Sequence, residues 1–197
     1  MKKILIAILA TVLACVCAVG TTLAYLMDKT APVKNTFTFG DINITLTETK
    51  GTEITDGRSF KVIPGDTIAK DPVVTVQAGS EACYLFIKVE ETNNQIGTEK
   101  VVDYTVDTTI WTALDGNPGV YYIEIGSLTA TDTPYQVLKG GNTDNTTGQV
   151  LINSDLTKAD LETLATNVPT LTFTAYAVQK ANVANVAAAW AIANPTT

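Results

Sequence analysis

Residues 82–92 read ACYLFIKVEET, which is the strongest strand signal in the sequence. Apolar and aromatic side chains suit a pleated surface, and successive side chains of a strand point to opposite faces. Alternation therefore divides this stretch into two faces, one with Cys83, Leu85, Ile87 and Val89 and the other with Tyr84, Phe86, Lys88 and Glu90. We expect a long strand with Cys83 inside the protein, where its thiol has a packing role.

Shorter runs of β-branched and aromatic residues lie on both sides of this strand, between clusters of Gly, Asn, Asp and Pro. They predict strands over 41–49, 59–63, 71–79, 106–114, 120–128, 149–153 and 171–180. Roughly eight strands with turn signals between them favour an all-β fold, a two-sheet jelly-roll-like β-sandwich, over a mixed α/β fold.

Two segments break the strand pattern and predict one or two short peripheral helices. In residues 157–167, Leu161 and Leu164 are three apart, while Thr157 and Asp160 have the spacing of a capping box. The alanine-rich segment 183–194 has helical propensity, and Trp190 is its expected anchor.

The N-terminal segment has the layout of a secretory signal. Lys2 and Lys3 precede a run without charge that extends to Met27, and small residues follow Gly20. The predicted cleavage lies between Ala24 and Tyr25, so the domains are a signal peptide at 1–24, an extended arm at 25–36 and a β-sandwich domain at 37–197. Membrane contact is then expected only before cleavage. Two alternatives remain, an uncut anchor and a lipoprotein carrying its lipid on Cys15.

Composition argues against several classes of function. The chain has 13 basic and 20 acidic residues, and signal removal takes two lysines and no acid, so nucleic acid is an unexpected partner. It also has no histidine, which removes the commonest general base and zinc ligand. No HExxH, GxSxG, phosphate loop or CxxC is present.

Glu90 and Glu91 are adjacent and would point to opposite faces of a strand, so we interpret them as solvated charges. We expect no enzyme activity.

One loop offers oxygen ligands for a cation. Asn142, Asp144 and Asn145 lie in the stretch GGNTDNTTG, which lacks the spacing and the terminal glutamate of an EF-hand loop. Turn chemistry accounts for the same residues without an ion. We therefore expect no cofactor, and calcium at this loop is the alternative.

Taken in order along the chain, several stretches resemble the TasA and camelysin family of Gram-positive bacteria. They are TTLAYLMD, NTFTFGDINITLTE, VIPGDTIAKDPVVTV, CYLFIKVEE, FTAYAVQK and a later AAAW. The resemblance extends from residue 20 to about residue 190 and is sharpest where the signal meets the first strand. It implies export with a signal cut by a SipW-type peptidase and a jelly-roll-like sandwich.

For the TasA branch, the resemblance implies a secreted protein of the biofilm matrix or cell surface that assembles with itself into fibres. An N-terminal strand of one subunit would complete the sheet of the next, and backbone hydrogen bonds make such strand addition favourable. The matching donor is Tyr25 to Phe39, with anchors at Leu26, Val33, Phe37 and Phe39. Pro32 interrupts pairing, which leaves the part after it as a shorter alternative donor.

Two other functions remain open at this point. The camelysin branch is labelled a metalloprotease, but a chain without histidine would need an unusual zinc ligand set. The second alternative is a non-polymerising surface module that binds glycans or matrix proteins, with Trp111, Tyr121 or Tyr122 as stacking platforms. Such aromatic residues more often pack within a core or sheet.

Overall fold

The computed structural model describes residues 40–55, 57–127, 130–140 and 148–195. Several predicted features lie outside these ranges. They are the signal peptide, its cleavage site at Ala24 and Tyr25, the arm with Leu26, Val33, Phe37 and Phe39, and the loop residues Asn142, Asp144 and Asn145.

The described residues form fourteen strands and two helices, which confirms the all-β class. The strands are β1 Ile44–Thr47, β2 Thr52–Ile54, β3 Gly57–Ser59, β4 Thr67–Ala69, β5 Val73–Val76, β6 Cys83–Thr92, β7 Gln95–Ile96, β8 Glu99–Lys100, β9 Val102–Tyr104, β10 Thr112–Ala113, β11 Val120–Ile125, β12 Thr133–Gln136, β13 Gln149–Ile152 and β14 Thr170–Gln179. The helices are α1 Lys158–Leu164 and α2 Val186–Ala193. Within the described ranges, no helix has the length and apolar character needed to cross a membrane.

Strand pairing organises the chain around β6, the strand formed by the ACYLFIKVEET stretch. It lies inside a four-stranded antiparallel sheet with the order β10-β11-β6-β14, and its register places Phe86 opposite both Tyr122 and Tyr176. Two three-stranded sheets have the orders β1-β5-β12 and β4-β13-β9, and two hairpins, β2-β3 and β7-β8, complete the pairing. The stretch with the strongest strand signal thus makes an interior strand of this sheet.

Both faces of β6 are buried over its first half. On the inner face, Cys83, Leu85 and Ile87 are fully buried and pack with Val74 of β5 and Val150 of β13, which confirms the predicted position of Cys83. On the outer face, Phe86 packs against Trp190 of α2 with ring centroids 5.3 Å apart. One helix therefore covers the aromatic side of the sheet, and Trp190 is its anchor as predicted.

The helix boundaries follow from side-chain caps. At α1, Asp160 N donates to Thr157 Oγ1 at 3.3 Å and Thr157 N donates to Asp160 Oδ2 at 2.8 Å, which confirms the predicted capping box. At α2, Asn185 Oδ1 accepts from Ala188 N at 2.9 Å, so the helix begins after Asn185 rather than at the start of the alanine-rich segment.

Two predicted strands are wrong over most of their length. The 106–114 stretch keeps only a bridge at Val106 and the short β10, because Asp107 forms a turn. Its Oδ1 accepts from Thr109 N, and its carbonyl accepts from Trp111 N at 2.8 Å. This local hydrogen bonding outweighs the β propensity of the stretch.

The second is the 59–63 stretch, where β3 ends at Ser59. The following residues lead into a turn in which Asp66 N donates to Ile63 O at 3.0 Å. Gly65 has φ +84° in this turn, a backbone conformation that glycine adopts readily and that ends the extended run.

Candidate functional site

The most unusual surface feature is the free edge of β14. This ten-residue strand, TLTFTAYAVQ, pairs with β6 on one side, and in the described part of the chain no strand pairs with its other side. It contains no charged residue, glycine or proline. Charged residues and proline are among the usual means by which proteins prevent an exposed edge from pairing with another chain. The β14 edge is therefore open to strand addition.

The inner face of β14 carries a row of apolar side chains that is only half-buried. The row consists of Leu171, Phe173, Ala175 and Ala177. Ala175 and Ala177 lie opposite Ile87 and Leu85 of β6, which are fully buried. The core thus continues to the edge of the sheet, where further apolar side chains would extend it.

A second free edge lies beside the first. β1 belongs to the β1-β5-β12 sheet and pairs with β5 only, within the described ranges. Its Cα atoms come within 8 Å of those of β14, and Leu46 on β1 is 37% exposed. We call the line along which these two edges meet the β1–β14 seam, and it is the candidate site of assembly.

One buried charge pair lies at the β1–β14 seam. The Lys70 ammonium donates to both carboxylate oxygens of Glu48, at 2.9 and 3.1 Å, although Lys70 is 92% buried. The same Nζ lies 4.9 Å from the centroid of the Phe60 ring and 5.2 Å from that of Phe173 on β14. Pairing and aromatic contact offset the cost of burying the ammonium. A strand added at the seam would therefore contact the Lys70–Glu48 pair as well as the apolar row of β14.

Asp71 holds the chain next to Glu48 in position. Its Oδ1 accepts from the backbone N–H groups of Thr49 and Lys50, at 3.0 and 2.9 Å, and its Oδ2 accepts from the Thr49 hydroxyl. Burial alone would raise the pKa of Asp71, but these hydrogen bonds from Thr49 and Lys50 outweigh it and lower the pKa. Asp71 therefore stays ionised and fixes the turn that follows β1.

Sequence reasoning found the strand but missed the buried pair. Periodicity marked 171–180 as a strand, whereas nothing in the local pattern of Lys70 or Glu48 separates them from ordinary solvated charges. The only indication in the sequence that Lys70 is buried is its position, directly before Asp71-Pro72 at the start of a predicted strand.

The three aromatic residues proposed as stacking platforms have different positions. Trp111 is 1% exposed, and its Nε1 donates to Gln136 O at 2.7 Å, so its role is packing. Tyr122 lies on the outer face, with its ring centroid 6.4 Å from that of Phe86. Tyr121 lies on the inner face, in register with Ile87, and lines a cleft.

Cys83, Glu90 and Glu91 are the side chains considered above for a reactive role. Burial raises the pKa of the Cys83 thiol more than nearby Lys180 lowers it, so the thiol stays neutral. Glu90 forms an ion pair with Lys88 at 2.7 Å, as expected for a surface charge. Glu91 differs from the prediction, because its carboxylate is held by three side chains.

Within the residues that the structure describes, no group of three or more Cys, Asp and Glu side chains is placed to hold a metal ion. Comparison of the chain with protein-family models, with curated proteins and with solved structures gave no match.

Proposed function

We propose that this chain is a secreted structural protein of the extracellular matrix or cell surface, which assembles into fibres by strand addition at the β1–β14 seam. The observation that carries the proposal is the uncharged ten-residue strand β14, whose outer side pairs with no strand among the described residues. An unprotected edge of this length offers a row of backbone hydrogen-bonding groups and a half-buried apolar row beside it. The resemblance to the TasA branch supports the same function.

The donor in this proposal is the segment that follows signal cleavage, from Tyr25 to Phe39. Val33, Phe37 and Phe39 are separated by even numbers of residues, so in an extended strand their side chains point to the same face. A single register would therefore turn all three toward the half-buried row of β14. Leu26 would point to the opposite face of such a strand, and it lies before Pro32. The donor strand is therefore centred on residues 33–39, and Tyr25–Leu26 forms the free end.

The proposed architecture is a two-sheet, jelly-roll-like sandwich over residues 37–197. The four-stranded sheet forms one layer, and the β1-β5-β12 and β4-β13-β9 sheets form the other. The shared core of Val74, Val150 and the inner face of β6 supports this assignment. The seam would then be the side at which both layers accept a further strand.

Export and processing precede assembly in this proposal. A SipW-type peptidase cuts between Ala24 and Tyr25 at the membrane, and the new N-terminus becomes free to pair. N-terminal sequencing of the secreted product tests this step, and the expected first residue is Tyr25. A lipid on Cys15, or fibres formed by a chain that keeps residues 1–24, would contradict it.

Electron microscopy and size-exclusion chromatography test assembly itself. A chain that starts at Tyr25 is expected to form fibres, and one that starts at Gly40 is expected to stay monomeric because it lacks the donor. A labelled peptide of residues 25–39 should bind the shorter chain. Fibres from the shorter chain, or persistent monomers from the longer one, would refute the proposal.

A zinc peptidase of the camelysin type is not proposed as a second function. The chain has no histidine, and its carboxylates would have to form an all-oxygen ligand set of a kind rare for catalytic zinc. Casein hydrolysis that a chelator abolishes, together with stoichiometric zinc, would be needed to support it.

A further inference from the structure

A cleft of about 470 Å³ opens between the end of β6 and strand β9. Its walls include Val89, Glu91, Lys100, Tyr104, Thr108 and Tyr121. The volume lies in the range of sites that bind small organic ligands, and such sites combine an apolar lining with a few fixed polar groups. This cleft has both, since Val89 and the two tyrosines supply the apolar part.

Glu91 organises the polar part of the cleft. Its Oε1 accepts from Lys100 Nζ and from the Tyr104 hydroxyl, both at 2.7 Å, and its Oε2 accepts from Asn94 Nδ2 at 2.9 Å. Burial alone would raise the pKa of Glu91, but the hydrogen bonds from Lys100, Tyr104 and Asn94 lower it. The carboxylate is therefore ionised and neutralised by Lys100, so the cleft presents a rigid wall with little net charge.

The backbone around the cleft is already hydrogen-bonded. The Asn94 side chain, in a residue that is 3% exposed, accepts from Val102 N at 2.8 Å and donates to Val102 O at 2.9 Å. Tyr104 N donates to the Asp103 carboxylate, and Val89 N donates to Gly119 O. An extended peptide needs free backbone groups to pair with, so this cleft is a poor acceptor for one.

Side-chain groups at the cleft remain available to a ligand. The hydroxyls of Thr108 and Tyr121 make no hydrogen bond within the described residues, and Thr105 also lines the cleft. Lys100 lies 4.8 Å from the centroid of the Tyr104 ring and, with three N–H donors, has capacity beyond its bond to Glu91. The cleft thus offers hydroxyls, one shared cation and the rings of two tyrosines.

We propose that this cleft binds a short segment of a neutral saccharide, with the tyrosine rings against its C–H faces and the threonine, tyrosine and lysine groups bonded to its hydroxyls. A sugar ring presents hydroxyls at its rim and apolar C–H groups on its faces, which matches amphipathic tyrosine surfaces. If the chain is the matrix protein proposed above, this site would attach it to polysaccharide.

Calorimetric titration of the purified full chain tests the proposal, with cellohexaose, laminarihexaose, maltohexaose and chitohexaose as probes. At least one probe should bind saturably. The double variant Thr105→Val with Thr108→Val keeps side-chain volume and removes two hydroxyls, so it should bind about tenfold more weakly. Lys100→Met should weaken binding by a similar factor. Thr112→Val, on an exposed threonine outside the cleft, is the matched control and should bind as the wild type does.

Three results would overturn the proposal. The first is the absence of saturable binding with all four probes. The second is binding that the cleft variants leave unchanged, or that the Thr112→Val control weakens equally. The third is binding of penta-alanine, weakened by the same cleft variants, with an affinity equal to that of the best saccharide, which would make the cleft a peptide site. Circular dichroism confirms that each variant is folded.

Discussion

The edge strands β9 and β14 differ in how they are protected. β9 has three residues, carries the charged Asp103, and has the backbone of Val102 bonded on both its N–H and its C=O by the Asn94 side chain. β14 has ten residues, no charge, and no partner on its outer side within the described ranges. Short length, charge and side-chain capping are known means of blocking edge pairing. Within the described residues, the chain blocks the edge of β9 and leaves the outer side of β14 without a partner strand.

Charges placed on β14 should remove the difference between the two edges. Thr170→Lys with Thr172→Lys puts two ammonium groups on exposed outer-face positions, so fibre formation should be lost while the free energy of unfolding changes by less than about 0.5 kcal/mol. Thioflavin fluorescence and electron microscopy measure the loss. The matched control is Thr112→Lys on β10, at the opposite edge of the same sheet. Fibres that form at the wild-type rate with the β14 lysines would show that this edge is not used.

Removal of the Asn94 side chain should expose the edge of β9. Asn94→Ala leaves the N–H and C=O of Val102 without their partner, and we expect a loss of about 2–3 kcal/mol in the free energy of unfolding. Urea denaturation measures it. The control is Asn117→Ala, because the Asn117 side chain donates to the nearby Asp115 carbonyl. If both substitutions cost the same, the side-chain cap of β9 has no special role.

Removal of Glu48 tests the charge pair at the β1–β14 seam. Glu48→Ala leaves the buried Lys70 ammonium unpaired, and we expect a loss of about 2 kcal/mol because the pair is only partly shielded from water. The double variant Glu48→Ala with Lys70→Met should recover most of this loss, since it removes the buried ammonium and keeps an apolar side chain beside the Phe60 and Phe173 rings. Urea denaturation of Glu48→Ala, of Lys70→Met and of the double variant measures these effects. Additive losses would mean that the two residues do not interact.

The smallest effect concerns the pH dependence that Glu91 contributes. Its folded pKa lies below the ordinary value of 4.5, so it stabilises the fold above that value and the contribution is lost as pH falls through the folded pKa. The melting temperature of the wild type should therefore fall more than that of Glu91→Gln between about pH 5 and about pH 3. Equal slopes in the two proteins would contradict the lowered pKa.

Parts of the fold could be predicted because their signals are local. Strand alternation identified β6 and β14, the Thr157 and Asp160 spacing identified the start of α1, and the alanine-rich segment with Trp190 identified α2. The prediction of a strand over 106–114 was wrong because the Asp107 side chain accepts a hydrogen bond from the backbone of its own turn. The alternation of apolar and polar residues does not reveal this side-chain hydrogen bond, which competes with strand pairing at a single residue.

The candidate sites were much less predictable. No local pattern marks Asn94 as the cap of an edge eight residues away, or Lys70 as a buried cation beside Phe173. Glu91 was interpreted as a solvated charge, yet Lys100, Tyr104 and Asn94 all bind it. These contacts join elements that are distant in sequence or separated by turns, so they appear only when the sheets are assembled.

The sequence by itself determined that the β6 and β14 stretches are strands, which face of each is apolar, and that no histidine is available for catalysis, because these depend on residue type and on spacing along the chain. Tertiary structure decided that Thr92 pairs with Thr170, that β6 is central and β14 is an edge, and that Lys70 is buried. Strand order follows from long-range pairing, in which the burial of one apolar face against another selects the partner. The same uncharged strand would be an ordinary core element inside a sheet, and its position at the edge makes it a candidate for assembly.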